Sequence, residues 1–389
     1  MTVGARSTGP GDEPMVARWG SPHPAAPLVV VLHGNGTSEH SMIEISPWLP
    51  HGPVAYVAVR APLTVERGYA WFAETDGRPD PAGLAEAGDW VLRWLDTEGH
   101  PDRSVLLLAF RSGVALAGYL MLRAPERFSG AVLLHGALPL DAGSLGAEPA
   151  PGALRGMPVF LAHADADPRT PTALLERTWD WLRRWSGAPV RVARTPDGGT
   201  LAGSVVAAAG SWLGDRLDFL RAHGENPLPD GDEPAWPGLG RLPERAGTPP
   251  DPTPDLPQLP VGPPGTLQDA VWARIRGLGR ERPAAIGPAG TRSLVLDADV
   301  PGDPAALVHA AEGELAHLHP DGSLHLVLPD ALAYDALGKG WALAHPLAGV
   351  RLPAGLVLVP APRDEAEVEI VAALVTAAHR AASARTPRA

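Results

Sequence analysis

The chain predicts an α/β fold built on a doubly wound parallel sheet, followed by a smaller α+β domain. Three observations carry this expectation. From Leu28 to about residue 222, short apolar runs alternate with helical patterns, as a parallel sheet covered on both faces requires. A proline-rich stretch then breaks the periodicity. Beyond it, a strong turn signal between alternating residues and two flanking helical patterns mark a second compact unit.

The elements follow in order. Residues 1 to about 25 read as a flexible lead-in. Leu28–Leu32 is a buried strand ending in His33-Gly34-Asn35-Gly36, and Val54–Val59 is a second strand. Asp80–Thr97 is helical, with Trp90 and Trp94 on one face. Val105–Phe110 is a third strand, leading into a helix through Leu122. Gly130–His135 and Pro158–His163 are the fourth and fifth strands. Thr170–Ser186 is helical, Val190–Thr195 is a sixth strand, and Gly203–Ala222 is a closing helix. In residues 223–264 proline makes up roughly a third of the sequence, which reads as a semi-extended linker. The domains are therefore expected at 1–222 and 265–389. In the second, Leu267–Leu278 is helical, Thr291–Leu296 a strand, and Gly313–Leu328 a hairpin. Pro329–Leu337 is a short helix, Gly355–Val359 a strand, and Asp364–Ala382 a closing helix.

Composition excludes several functions. The chain has 389 residues, enough for two cores. Its net charge of -12 argues against a nucleic-acid footprint. It has no cysteine, so disulfides, thiolate metal sites and thiol nucleophiles are excluded. Any metal must come from His, Asp or Glu. The first residues lack an apolar run of signal-peptide length, and no stretch has the length of a membrane span. A soluble, cytoplasmic protein is the expectation, with no membrane partner and an open oligomeric state.

Val105–Tyr119 reads as strand, tight turn and helix, the setting of a nucleophile elbow normally written G-x-S-x-G. Here the five residues are Ala109-Phe110-Arg111-Ser112-Gly113, so Arg111 holds the nucleophile position. Small residues are needed two before and two after that position. Ala109 and Gly113 satisfy this around Arg111, whereas Phe110 and Val114 would not satisfy it around Ser112. Ser112 is expected to point away and bond the first turn of the helix. For Arg111 two readings stand: a salt bridge to Asp167, which is favoured, or a site for a small carboxylate or phosphate at a helix N-terminus.

Residues 27 to about 220 resemble the phospholipase/carboxylesterase branch of the α/β-hydrolases. The resemblance rests on Leu32-His33-Gly34, Arg60-Ala-Pro62, Gly68-Tyr-Ala-Trp-Phe72, the elbow, Pro125-Glu-Arg-Phe128 and His163-Ala-Asp-Ala-Asp-Pro168. It implies that Asp167 matches the triad acid. It also places Thr200, after Asp197-Gly198-Gly199, where the triad histidine belongs. Thr cannot take a proton as that base does. A hydrolase fold with a degenerate site is expected, with His33, Gly34, Arg111, Ser112, Asp167 and Thr200 around it.

In the second domain, Pro320-Asp321-Gly322 is a three-residue turn. It sets His317 opposite His325 and His319 opposite Ser323. Alternation then puts His317, His319 and His325 on one face and Ala316, Leu318, Leu324, Leu326 and Leu328 on the other. The histidine face lines a cleft or meets solvent. Three readings stand: a divalent transition-metal site with Glu314, a metal-free active site, or a polar face bonded to loops. Simple alternation puts Glu314 on the wrong face, so its membership requires a bulge.

The segments Glu314-x-x-His317-x-His319, Leu324-His325-Leu, Gly338-Lys-Gly-Trp341, His345-Pro-Leu-Ala-Gly349 and Ala361-Pro-Arg363-Asp-Glu365 resemble the fungal luciferase domain. The resemblance spans about 266–382 and is strongest over 314–371. It implies oxygen addition to a hydroxypyrone without a flavin. In such a reaction His317 or His325 could act as base, and His345 and Arg363 could orient a small anionic substrate. The alternatives are a helix-end cap for His345 and a surface salt bridge with Asp364 or Glu367 for Arg363. No cofactor is expected beyond the divalent metal that the hairpin histidines allow. Trp341 reads as core. A non-catalytic ligand-binding or scaffold protein and a residual esterase are the alternatives.

Overall fold

The computed structural model describes residues 13–98, 103–145, 149–154, 156–164, 167, 169–195, 199–224, 241–247, 267–284, 289–300 and 302–383. Contacts divide the chain into two units, Met1–Leu182 with Val190–Glu225, and Arg183–Pro189 with Asn226–Ala389.

The first unit is built on seven strands: β1 (Val16–Gly20), β2 (Leu28–Leu32), β3 (Ala55–Val59), β4 (Val105–Phe110), β5 (Gly130–Leu134), β6 (Val159–Ala164) and β7 (Val190–Thr195). They lie in the order β1-β3-β2-β4-β5-β6-β7, parallel except where β1 pairs antiparallel with β3. Four long helices accompany them: α1 (Pro81–Thr97), α2 (Ser112–Arg123), α3 (Thr172–Arg184) and α4 (Gly203–His223). Strands β2, β3 and β5 are buried along their whole length, which explains their unbroken apolar sequence. Asp80 caps α1 by accepting from the Gly83 N–H at 2.7 Å, ahead of Pro81. The expected lead-in needs correction, because β1 lies within it. Its residues are only half-buried and show no apolar run; Trp19 anchors the edge by stacking on Tyr56 at 5.2 Å.

The second unit is an antiparallel sheet of β8 (Arg280–Pro283), β9 (Arg292–Val295), β10 (Glu314–Leu318), β11 (Leu324–Val327), β12 (Leu343–Ala344) and β13 (Leu356–Val359). The order is β8-β9-β10-β11-β13-β12. Helices α5 (Gln268–Ile275), α6 (Asp330–Gly338) and α7 (Glu365–Ser383) complete it. The expected hairpin register is present, with His317 opposite His325 and Ala316 opposite Leu326. Ala316, Leu318, Leu324, Leu326 and Leu328 join Val271 and Ile275 of α5 and Val371, Leu374 and Val375 of α7 in one core. Each such leucine, fully buried, contributes about 1.5–3 kcal/mol.

Of the expected linker, 225–240 and 248–264 lie outside the described residues. Residues 241–247 do not behave as a linker: they are packed onto the second unit. Leu242 is 2% exposed in its core, and the Trp341 indole N–H donates to the Pro243 carbonyl at 2.6 Å. Arg245 lies over Trp341 and donates to Glu367 at 2.8 Å and to the Ala361 carbonyl at 2.7 Å. Proline content hid this anchoring. Among the described residues, no helix is long and apolar enough to cross a membrane.

Glu367 is a buried carboxylate held by Arg245 and Arg363. Burial pushes its carboxyl up, but the hydrogen bonds from both arginines outweigh this and bring it down to about 2. Its contribution to stability is therefore complete above the ordinary value of 4.5 and is lost as pH falls towards about 2. Glu367→Gln is expected to lower stability by about 3–5 kcal/mol at neutral pH. Thermal unfolding of the full chain should also show a smaller loss of melting temperature between pH 5 and pH 3 in the variant than in the parent.

Candidate functional site

Strand β4 runs between β2 and β5 and must turn into α2 within one residue. Arg111 makes that turn with φ 52° and ψ -119°. This is a strained conformation for a residue with a side chain, held by the sheet and helix on either side. The Arg111 N–H donates to the Leu134 carbonyl at 2.9 Å, and its own carbonyl accepts from Val114 at 2.8 Å. Close approach dictates Gly113, where a Cβ would stand 2.4 Å from the Leu32 carbonyl oxygen. The small neighbours expected around position 111 are thus required by the geometry.

Arg111 reaches Asp167. Its Nη1 lies 3.3 Å from Oδ1 and 3.5 Å from Oδ2, and its Nη2 donates to the Gly199 carbonyl. The Asp167 side chain is 1% exposed. The salt-bridge reading therefore holds at this position. Thr200 follows Gly199 and is exposed; residues 196–198 lie outside the described residues.

Ser112 does not bond the first turn of α2. Its hydroxyl accepts from the Asn35 N–H, because the loop after β2 folds over the helix start. An N–H from that loop is the kind of donor that completes an oxyanion hole at such an elbow. Here the serine engages it. His33 is fully used by the fold. Its Nδ1 sits 2.8 Å from the Gly34 carbonyl, and its Nε2 accepts from the Ala61 N–H at 3.1 Å. That fixes the Nδ1–H tautomer. Burial brings its pKa down to about 4. Gly34 lies against Arg111, where a Cβ would stand 3.2 Å from the arginine Cβ.

Two histidines of this region went unread in the sequence. His135 ends β5 with φ 54° and is 1% exposed. Burial lowers its pKa, the Arg111 charge adds to that, and Asp167 opposes it. His163 lies in β6, edge-on to Trp179 at 6.0 Å, with its pKa brought down to about 4 chiefly by burial. Their signal was position: both fall at the carboxyl ends of parallel strands, where sites collect.

In the second unit the histidines expected to line a cleft or meet solvent are instead buried: His317 is 6% exposed, His319 1% and His325 3%. The covering chain includes Ala348, which packs with Val327 and Leu356 on the face opposite the helices. The three rings converge. His317 Nε2 lies 2.9 Å from His325 Nδ1, and His319 Nε2 lies 3.0 Å from the same atom. One ligand nitrogen from each falls within 4.8 Å of the others.

The bulge required for Glu314 is present. Leu294 pairs with Ala316 and Val295 with Glu314, which leaves Leu315 as the extra residue. Leu315 and Ala316 both enter the core, and Glu314 joins the histidine face. It does not reach the converging nitrogens. Its Oε1 lies 3.5 Å from the opposite side of His317, at Nδ1, and accepts from the Ser293 hydroxyl. Burial pushes the Glu314 carboxyl up, but His317 and Ser293 outweigh it and hold it below the ordinary range.

Burial brings His319 down to about 4 and holds His325 well below its usual value. His345 stands with its ring 5.7 Å from that of His325. Burial brings it too down to about 4, and its Nδ1 accepts from the Leu347 N–H at 3.2 Å. Rings so resistant to protonation stay neutral near neutral pH, and each keeps one lone pair. Arg363 is held by Glu367, four residues along its own helix start, and by the Ala246 carbonyl of the 241–247 segment. Trp341 is core, as expected, at 2% exposed.

The geometry defines a hydrolase-type α/β unit and a separate antiparallel α+β unit with a histidine cluster. Family comparisons agree with this division. Residues 19–193 match the phospholipase/carboxylesterase family, and residues 312–378 match the luciferase domain family. Among solved structures, the carboxylesterase of Bacillus cereus is 21% identical with a TM-score of 0.46, spanning 52% of this chain and 95% of that protein. Acyl-protein thioesterase 2 of Zea mays is 21% identical with a TM-score of 0.44, spanning 52% and 99%. A phospholipase/carboxylesterase of Dyadobacter fermentans is 18% identical with a TM-score of 0.42, spanning 52% and 96%.

Arg111→Ala would leave the Asp167 carboxylate buried without its ion-pair partner. The expected cost is about 3–5 kcal/mol, and Arg111→Ala/Asp167→Ala should recover part of it. Urea unfolding of the three variants against the parent measures both effects.

Proposed function

We propose that the luciferase-like unit carries the protein's chemistry, as an oxygenase acting on a small enolic or aromatic acid, and that the hydrolase-like unit does not cleave esters. The observation that carries this reading is the contrast between two sets of side chains. In the second unit, three buried imidazoles turn ring nitrogens towards one point, with the Glu314 carboxylate beside them. In the first, the tip of the elbow holds an arginine bonded to Asp167.

Oxygen addition to an enol needs an electron-rich enolate and something that holds negative charge as the new bond forms. The face bearing His317, His319 and His325 is buried, with His345 beside His325. Water excluded from such a face does not screen the interaction with an anion. Ester cleavage, by contrast, needs a nucleophile, a base and a free oxyanion hole. At the elbow the nucleophile position is cationic, Thr200 offers no base, and Ser112 engages the Asn35 donor.

Oxygen-electrode assays with a panel of hydroxypyrones and related enolic acids test this reading. The expected result is uptake by the parent chain that is lost in His317→Ala, with no hydrolysis of activated esters above a buffer blank. Stabilisation by the same acids without oxygen uptake would favour a binding protein instead. Ester hydrolysis abolished by Ser112→Ala would establish a residual esterase and contradict the inactive elbow.

A further inference from the structure

We infer that His317 Nε2, His319 Nε2 and His325 Nδ1 form a three-nitrogen site for one divalent transition metal, with an open coordination position. The inference deepens the proposed oxygenase reading but rests on geometry that stands without it.

The argument begins with hydrogens. A neutral imidazole carries one N–H and one lone pair. His317 Nδ1 lies 3.5 Å from the Glu314 carboxylate, and with the hydrogen on that nitrogen Nε2 presents its lone pair. His325 Nδ1 faces this lone pair at 2.9 Å and His319 Nε2 at 3.0 Å. If His325 Nδ1 carries a hydrogen, one hydrogen must serve two acceptors. If it does not, its one lone pair must serve both neighbours, as acceptor from His319 Nε2–H, from His317 Nε2–H or from both. Either arrangement leaves one nitrogen shared between two partners at a buried junction, in a region where unmet polar atoms are costly. A cation at the junction meets all three lone pairs at once.

The dimensions agree. Imidazole nitrogens bind zinc-like ions at about 2.1 Å, which separates tetrahedral ligands by about 3.4 Å. The three nitrogens already fall within 4.8 Å of one another, so small ring rotations bring them to bonding distance. Two of the ligands are opposite or near-opposite residues of one hairpin, and the third lies two residues along the same strand face. The sheet therefore fixes them before any metal arrives.

Glu314 completes the design without being a ligand. A carboxylate on the far nitrogen of a ligating histidine fixes its tautomer and raises its donor strength. Ser293 holds that carboxylate in turn. Three neutral nitrogen ligands select borderline ions such as zinc, iron(II), cobalt(II) or nickel(II) over magnesium or calcium. They also leave the ion's full double charge, with a position free for an anionic oxygen. Three protein ligands and an open position are the arrangement of reactive metal sites rather than purely structural ones.

The test uses the full chain purified without added chelator, then stripped with EDTA. Elemental analysis should find close to one transition-metal ion per chain before stripping. Titrating cobalt(II) into the stripped protein should give visible d–d absorption that saturates at one equivalent, and should raise the melting temperature. Glu314→Gln should still bind cobalt(II), but about 10–100-fold more weakly. His319→Ala/His325→Ala should lose the cobalt spectrum. Because that variant removes buried rings, circular dichroism must first show it folded; otherwise the parent titration and Glu314→Gln decide. A parent chain that carries no metal, shows no cobalt absorption and does not change its melting temperature with cobalt(II), zinc or nickel(II) overturns the inference. Metal binding without oxygen uptake would overturn only the oxygenase reading, and oxygen uptake by a chain that binds no metal would overturn only the metal site.

Discussion

Strand alternation in a single hairpin governs the second unit. Ala316, Leu318, Leu324 and Leu326 must face α5 and α7 to form the core, so His317, His319 and His325 must face the other way. On most two-layer sheets that other face is wet, and three imidazoles there would cost nothing. Here the chain around Ala348 covers it, and the rings have little but one another and Glu314 to meet. An unmet buried polar atom costs about 1–3 kcal/mol. A sequence selected only to fold would place valine or leucine at these positions. The cost of the cluster is the physical reason to assign it a task.

The first unit presents the opposite situation. Its scaffold keeps the strained turn at Arg111 and the close packing of Gly113 on Leu32. The turn itself is filled by an arginine. Arg111, Asp167 and the Gly199 carbonyl satisfy one another, and Ser112 and Asn35 do the same beside them. These groups stabilise the fold through their mutual contacts. The strained turn persists because the surrounding sheet and helix over-determine it, whatever side chain it carries.

Much of this was readable in the sequence because the signals are local. Pro320-Asp321-Gly322 fixed the hairpin register, and with it the sharing of one face by three histidines. The elbow was read from Ala109 and Gly113, whose small size the turn demands. Less local features escaped. The place of Glu314 depended on a bulge at Leu315, which no alternation rule supplies. The burial of the histidine face depended on a covering loop distant in sequence. For Arg363 the Glu367 partner was legible from spacing, but Arg245 and the Ala246 carbonyl, which complete the cluster, lie in residues 241–247, where proline content masked the anchoring. His135 and His163 were missed because a lone buried histidine leaves no periodic mark. Strand β1 carries too little apolar sequence to stand out from a lead-in.

The central claim concerns one point in space, between three ring nitrogens. Anomalous X-ray scattering from crystals of the full chain, recorded above and below the absorption edge of the bound metal, addresses it most directly. The account predicts one strong anomalous peak about 2.0–2.2 Å from His317 Nε2, His319 Nε2 and His325 Nδ1, with Glu314 on the far side of His317 and not bound to the ion. A metal-supplemented crystal with no peak there, and with the three rings hydrogen-bonded to ordered water instead, would contradict it.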